Sequence, residues 1–526
     1  MEIFDEESKG IQLLKKGQKG LVYLLFSRLG IIVALLLLQA LVLAGVMSWF
    51  AEFLLHYMWA SALFTVIMFM YLLNSRLNAG AKITWLALFM IVPVFGGLLF
   101  WYTQSDIGHR AVKARMNQLL ADTKTIIPQD EKVMECIKKE SPGSFALAHY
   151  LSRSGCHPAF DQTAVTYFPL GEDKFQELLV QLKEARRFIF LEYFIVDEGL
   201  MWGKILEILA NKAAEGVEVR VLYDGTNEFS TLPHDYPKRL EKLGIQCKVF
   251  ARALPLISTH YNYRDHRKIA VIDGHTAFTG GVNLADEYIN KKLKYGHWKD
   301  TAIMLKGKAV QSFTLMFLQM WSIDERKTDF SKYLHVSRLP QVGTEGYVIP
   351  YGDCPLDDDK VGEGVYMDIL NRAQDYVHIM SPYLILDDEM ESALKFASKR
   401  GVDVKLILPG IPDKFFPYAL AKTHYRSLLD AGVQIYEYTP GFVHAKVFVS
   451  DGRKAVVGTI NLDYRSLYHH FECAAYLYRL PCIVDIEKDF QDTLLQCRQV
   501  TYESIRHEKW TIKLCGQLMK GFAPLM

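Results

Sequence analysis

His266-Arg-Lys268-Ile-Ala-Val-Ile-Asp273 and His444-Ala-Lys446-Val-Phe-Val-Ser-Asp451 are two copies of one pattern, H-x-K-x4-D. Gly280-Gly281-Val-Asn283 follows the first copy and Gly458-Thr459-Ile-Asn461 the second, so each continues into G-[GT]-x-N. One copy arises readily by chance in a long chain; two at matched places do not. The flanks match as well. Phe188–Phe194 and Tyr376–Ser381 read as strands, and Met201–Glu215 and Glu389–Arg400 as helices. The helices run into Gly216-Val-Glu-Val-Arg-Val-Leu-Tyr-Asp-Gly225 and Gly401-Val-Asp-Val-Lys-Leu-Ile-Leu-Pro-Gly410. A glycine that closes a helix and opens a buried strand fits both places. Leu240-Glu-Lys-Leu-Gly-Ile-Gln and Leu428-Leu-Asp-Ala-Gly-Val-Gln then correspond. Short β-rich runs alternating with helical stretches make the class α/β. The expected plan is two similar lobes, 151–340 and 341–526, each a mixed sheet flanked by helices.

Side chains on a strand alternate faces, so His266 and Lys268 share one face, as do His444 and Lys446. Asp273 and Asp451 belong to the motif and to its candidate catalytic set. They fall on the opposite parity, which suits strand-end or structural contacts better than the reaction. Asn283 and Asn461 carry amides that can donate to an oxygen beside the His–Lys face, and the glycines before them allow close backbone approach. Two imidazoles, two ammoniums and two amides suit a phosphodiester. The lysines and asparagines hold the non-bridging oxygens. One histidine attacks phosphorus, and the other protonates the leaving alkoxide and activates the acceptor. The pattern does not order the two histidines. This chemistry needs no metal and no cofactor. His260, His275, His297, His469 and His470 are read as non-catalytic.

The 526 residues carry a net charge of +1 and half are hydrophobic, which argues against disorder and against a polycation built to coat nucleic acid. The 8 cysteines stand singly, without a CxxC pair, so neither a zinc site nor a disulfide framework is indicated. Three apolar runs, Leu29–Trp49, Phe53–Leu73 and Ile83–Tyr102, contain no Asp, Glu, Lys or Arg. Each has the roughly 20 residues that a bilayer core requires. The expected layout is a membrane segment over 1–105 with two to three spans, a linker over 106–150, and then the lobes. Pro93, Gly96 and Gly97 would kink the third run or make it re-entrant. Lys15, Lys16, Lys19, Arg28, Arg76 and Lys82 place the N-terminus and the second loop inside. Arg110, Lys113 and Arg115 pull the other way, which leaves the side of the lobes open.

The duplicated motif resembles the phospholipase D superfamily over everything after about residue 155. Within it, three stretches are similar to cardiolipin synthases: Thr279-Gly-Gly-Val-Asn-Leu-Ala-Asp-Glu-Tyr288, Ala431 through Lys446, and Gly458-Thr-Ile-Asn-Leu-Asp-Tyr-Arg-Ser466. Gly281 stands where other branches often carry Ser. The last two apolar runs and the ending Phe522-Ala-Pro-Leu-Met526 resemble that family too. The resemblance implies one site between pseudo-symmetric lobes, with His266 as nucleophile and His444 as acid and base. It also implies a carboxylate from the opposite half on each histidine: Glu472 for His266 and Asp300 for His444. Gly281 and Thr459 join Asn283, Asn461, Asp300 and Glu472 as phosphate-binding or supporting positions. The implied reaction joins two phosphatidylglycerols into cardiolipin and glycerol in a multi-pass enzyme of a bacterial cell membrane, with lipid and no nucleic acid as partner. Phosphatidylethanolamine remains open as a co-substrate. A hydrolytic phospholipase D, a membrane-bound phosphodiesterase or nuclease, and a scaffold with a dead site are the rivals. Two departures stand out. The first apolar run is an extra span, and His470 replaces an Asn common before the Phe–Glu pair.

Overall fold

The computed structural model describes residues 11–13, 36–42, 44–45, 54–75, 77–104, 110–252, 263–334, 345–357 and 359–525. Contacts divide the chain into two units. One holds residues 1–14, 112–252 and 263–516; the other holds 15–111, 253–262 and 517–526.

The larger unit contains two sheets of matching order. The first runs Thr163–Phe168, Ala302–Gly307, Thr276–Gly280, Lys268–Ile272, Phe188–Tyr193, Glu218–Asp224, Gln246–Phe250. The second runs Tyr347–Asp353, His470–Tyr478, Lys454–Gly458, Val447–Ser450, Tyr376–Met380, Asp403–Pro409, Gln434–Tyr438, and adds Cys497–Gln499 at its edge. In each, the strand after the H-x-K segment sits in the middle, antiparallel to both neighbours. The expected helices are present as Leu200–Ala214 and Asp388–Lys399.

Strand alternation sorts the side chains into layers. Ile269 and Val271 of one sheet and Val447 and Val449 of the other join a shared core with the helix Val310–Trp321. Ala270 and Ile272 point outward, into the core formed with the helices Gly171–Glu184 and Leu200–Ala214. Phe448 and Val456 do the same on the second sheet. Each fully buried Leu, Ile or Phe contributes about 1.5–3 kcal/mol, so the shared layer fixes the two sheets against each other.

The stretch read as a linker is largely helical. Residues 110–154 form the helices Arg110–Thr123, Glu131–Glu140 and Pro142–Ser154. Val133, Met134, Ile137, Leu147 and Leu151 are buried in the core of the second sheet. The amphipathic spacing of these residues carries a packing face that polarity alone conceals.

In the smaller unit, Leu54–Leu73 is helical, and 55–73 is the one helix among the described residues long and apolar enough to cross a membrane. Most of the first apolar run lies outside the described residues. The third run is two helices, Ala79–Ile91 and Pro93–Gln104. Val92 leaves helical geometry (φ −136°, ψ 72°) because the residue before proline is pushed out of the α region, and Pro93 then opens the next helix. The kink expected at Pro93 is therefore a complete break, and neither half reaches about 20 residues. The halves fold on each other where a side chain at Gly96 would meet the Leu88 carbonyl oxygen at 2.9 Å. Leu72, Trp85, Phe89 and Phe100 form a small aromatic core, with Trp85 edge-on to Phe100 at 4.9 Å.

Candidate active site

Each H-x-K segment crosses to the other half before entering its own sheet. Arg264–Asp265 pairs in parallel with His470–Phe471, and the His266 amide donates to the Phe471 carbonyl at 2.9 Å. Gly441–Val443 pairs in parallel with His297–Lys299, and the His444 amide donates to the Lys299 carbonyl at 2.7 Å. This exchange sets each imidazole beside a carboxylate of the opposite lobe. His266 Nδ1 lies 2.9 Å from Glu472 Oε2, and His444 Nδ1 lies 2.6 Å from Asp300 Oδ2. Both carboxylates are fully buried. With Nδ1–H donated to a carboxylate, Nε2 of each ring keeps its lone pair for chemistry.

Lys268 and Lys446 reach back along their strands and donate to the carbonyls of His266 and His444. Lys446 Nζ also lies 2.9 Å from His444 Nδ1. Burial drives the lysines down, Lys268 to about 8 and Lys446 to about 7. Burial, then Lys268, then His470 hold His266 well below its usual range, and Lys446 and His444 of the other lobe add to this. Burial and Lys446 bring His444 to about 4, although Asp300 opposes them. Burial pushes Glu472 up, opposed by Lys268 and by the Thr459 hydroxyl. In an empty site both histidines are therefore neutral at pH 7, the form in which an imidazole attacks or accepts a proton.

Gly281 and Thr459 occupy matched places and act differently. A Cβ at Gly281 would sit 2.0 Å from Asp300 Oδ1, so only glycine leaves the carboxylate where His444 needs it. Thr459 instead donates its hydroxyl to Glu472 Oε2. The asparagines sit less freely than the spacing implies. Asn283 accepts from the Ile195 amide at 3.0 Å and donates to the Tyr288 hydroxyl at 2.8 Å. Asn461 donates to Asp463 at 3.2 Å, while its buried side-chain oxygen has no hydrogen bond.

Asp273 and Asp451 stand in turns, each at φ 54°, and face backbone. Asp273 accepts from the amides of Arg186, Arg187 and Phe188 at 2.8, 2.7 and 2.9 Å. Asp451 accepts from Gln374, Asp375 and Tyr376 at 3.1, 2.9 and 3.0 Å. Each ties the end of one central strand to the start of its neighbour. These contacts are to backbone, on the parity opposite to the His–Lys face.

Other residues at the site carried no motif. Phe194 stands edge-on to His266 at 4.9 Å, and Tyr288 edge-on to His444 at 5.4 Å. Arg267, the variable position of the first copy, donates to the Glu472 carbonyl at 3.2 Å. His470, set aside in the sequence, lies 5.3 Å from His266 between ring centres. Of the other histidines set aside, His297 bonds Tyr438 at 3.0 Å and His275 bonds Thr276 at 2.9 Å. His260 lies outside the described residues.

Two sheets of one topology, exchanged segments and a shared pair of His–Lys sites define an enzyme of the phospholipase D type. The family described as cardiolipin synthase, PLD-like domain matches residues 178–321 and 366–494. A cardiolipin synthase of Halalkalibacterium halodurans is 32% identical over 451 residues, spanning 84% of this chain and 88% of that protein. Cardiolipin synthase 2 of Bacillus anthracis is 33% identical over 448 residues, 84% of this chain and 86% of its own length. An uncharacterized protein of Streptococcus mutans is 56% identical over 457 residues, 87% of this chain and 99% of its own. The crystal structure of a Haemophilus influenzae phosphatidylserine synthase shares the fold at a TM-score of 0.54 and 14% identity, covering 69% of this chain and 93% of that one. The chain belongs to the cardiolipin synthase family of the phospholipase D superfamily.

Proposed function

We propose that this enzyme transfers a phosphatidyl group from one phosphatidylglycerol to another, giving cardiolipin and glycerol. The observation that carries the mechanism is the exchanged pairing of His266 with Glu472 and His444 with Asp300. His266 Nε2 attacks phosphorus, and the imidazolium that forms is stabilised by Glu472. The bound phosphodiester's negative charge favours the imidazolium form of His444, with Nδ1–H held by Asp300, and the Nε2 proton passes to the departing glycerol oxygen. His444 then takes one from the hydroxyl of the second phosphatidylglycerol, which attacks the phosphohistidine and frees His266. Lys268 and Lys446 hold the non-bridging oxygens as charge builds. Arriving phosphate favours the protonated forms of both lysines, which repays part of the cost of burying them. The amides of Asn283 and Asn461 line the phosphate once their present partners shift. No metal or cofactor takes part in these steps.

The domain plan in this proposal is a membrane segment ending near 105 and two lobes meeting near 340. The segment in this proposal is multi-pass; Leu54–Leu73 is its span among the described residues, presenting Trp59, Leu63, Val66 and Met70 outward, and the broken third run enters without crossing as one helix. Both substrates are lipids, so an anchored site at the interface meets them in two dimensions and favours a lipid alcohol over water.

The test uses the full chain in detergent micelles with phosphatidylglycerol as sole phospholipid, following cardiolipin, glycerol and phosphatidic acid together. Cardiolipin and glycerol in equal amounts is the expected result. Phosphatidic acid with little cardiolipin replaces the transferase by a hydrolase.

A further inference from the structure

His470 is an imidazole at the site for which the reaction has no use. It is buried, its Nδ1 makes no hydrogen bond, and Glu472 Oε1 lacks one as well. These two atoms face each other at 3.4 Å, and His266 Nδ1 lies 2.9 Å from the same oxygen. The potential ligand atoms of His266, His470 and Glu472 all lie within 4.8 Å of one another. An ion about 2.0–2.2 Å from each of three tetrahedral ligands separates them by roughly 3.3–3.5 Å. One separation, 3.4 Å, is at that value, another, 2.9 Å, opens by about half an ångström, and the third, within 4.8 Å, closes onto the ion.

We propose that His266, His470 and Glu472 form a site for a borderline divalent cation such as Zn2+, and that its occupation reversibly switches the enzyme off. Two imidazoles and a carboxylate are a donor set that selects zinc over magnesium or calcium. The cationic groups around His470, which are Arg465, His469, Lys268 and Arg264, oppose a dication and keep the site weak, as suits a reversible brake. The inhibition follows from the tautomer. An ion on His266 Nδ1 requires a lone pair there, so the ring proton moves from Nδ1 to Nε2. The hydrogen bond from Nδ1 to Glu472 is replaced by metal–oxygen and metal–nitrogen bonds. Nε2, now an N–H, has no lone pair with which to attack phosphorus. Water completes the coordination.

The inhibitory half rests on His266 being the nucleophile; the binding half does not, and the two are read separately. The full chain in phosphatidylglycerol–detergent micelles is titrated with Zn2+ held at set free concentrations by a chelator. Initial rate and zinc bound per chain are both measured. One zinc per chain is expected, with loss of rate tracking binding and full recovery on adding excess chelator. His470→Asn should raise both midpoints at least about 10-fold, since even outer partners of a metal cost that much. Each variant is normalised to its own metal-free rate. His266→Ala, inactive by design, should lose zinc binding to a similar extent. As a readout free of any variant, Co2+ bound to the wild-type chain should show the visible bands of a tetrahedral nitrogen–oxygen site. Equal zinc midpoints in wild type and His470→Asn would overturn the proposal, as would wild-type protein that binds neither metal. Zinc binding that depends on His470 but leaves turnover unchanged would keep the site and refute the switch. A chain that binds zinc as expected but makes no cardiolipin would sink the transferase reading alone.

Discussion

Replacing Gly281 by alanine tests the positioning of His444 without touching any group that carries a proton. The new Cβ would stand 2.0 Å from Asp300 Oδ1 and 2.8 Å from its Cγ. A carbon–oxygen contact relaxes only near 3.3 Å, so the carboxylate must retreat by about 1.3 Å. That displacement exceeds the tolerance of the 2.6 Å hydrogen bond to His444 Nδ1. His444 then loses the partner that fixes its tautomer. Loss of such a carboxylate costs up to about 10⁴ in kcat in the Ser-His-Asp enzymes, and general acid–base steps are worth about 10²–10⁴. The expected loss for Gly281→Ala is therefore about 10²–10⁴-fold, or ~2.7–5.5 kcal/mol of transition-state stabilisation. Overpacking should cost about 1–3 kcal/mol of stability, leaving a folded protein. The assay is initial cardiolipin formation at saturating phosphatidylglycerol, beside a thermal melt in the same detergent. Asp300→Asn and the double variant should match Gly281→Ala, because both changes act through one group. A folded Gly281→Ala protein within about threefold of the wild-type kcat would refute the steric reasoning.

Asp273→Asn should lose about 2–4 kcal/mol of stability, since one of the oxygens holding three backbone amides becomes a donor, while kcat in folded protein changes less than about 10-fold. A stable variant with a large rate loss would return Asp273 to the catalytic set. Thr459→Val should slow turnover by about 10-fold by removing the hydroxyl from Glu472, and Thr459→Ser should restore it; equal rates in both would show that the hydroxyl is idle. The lysines set a pH dependence. In the free enzyme Lys446 titrates at about 7 and Lys268 at about 8, so kcat/KM should fall as pH rises from 7 to 9 while the ammoniums that bind phosphate are lost. The stability effect has the opposite sign. Both folded values lie below the 10.5 of an ordinary lysine, so between about pH 7 and 10 the unfolded chain binds more protons, and the melting temperature attributable to these groups should rise with pH. A flat kcat/KM profile over that range would contradict the assigned phosphate contacts.

The twofold plan was legible because buried strands leave local signatures. Two Gly-Val strand entries and two H-x-K runs at matched places are enough to align the halves, and the sheets follow the same order. The parity of Asp273 and Asp451 is local in the same way, and both carboxylates accept backbone amides at the start of the neighbouring strand. What the sequence could not show depends on contacts across the chain. Nothing in Arg264–Asp265 announces that it pairs with His470–Phe471, 206 residues beyond in the case of His266 and Glu472. The carboxylate partners came from resemblance, and the steric need for Gly281 appears only once Asp300 lies against it. His470 reads as an ordinary strand residue until the exchanged segment brings His266 over it. The helices of 110–154 were missed because their charged faces dominate the composition while few apolar residues do the packing. The break at Val92 was half visible: Pro93 signals an interruption, but its completeness depends on the two halves folding back at Gly96.

The central claim is that His266 carries the phosphatidyl group and His444 supplies the proton. A phosphatidyl ester whose leaving group is p-nitrophenolate departs without a proton and separates the two roles. Mixed with excess ester, His444→Ala should release a burst of p-nitrophenolate equal to the enzyme present, with the lipid phosphate recovered on the peptide containing residue 266. His266→Ala should give no burst. A burst from His266→Ala, with the label on His444, would reverse the assignment, and absence of a burst from both variants and from wild type would contradict the covalent mechanism itself.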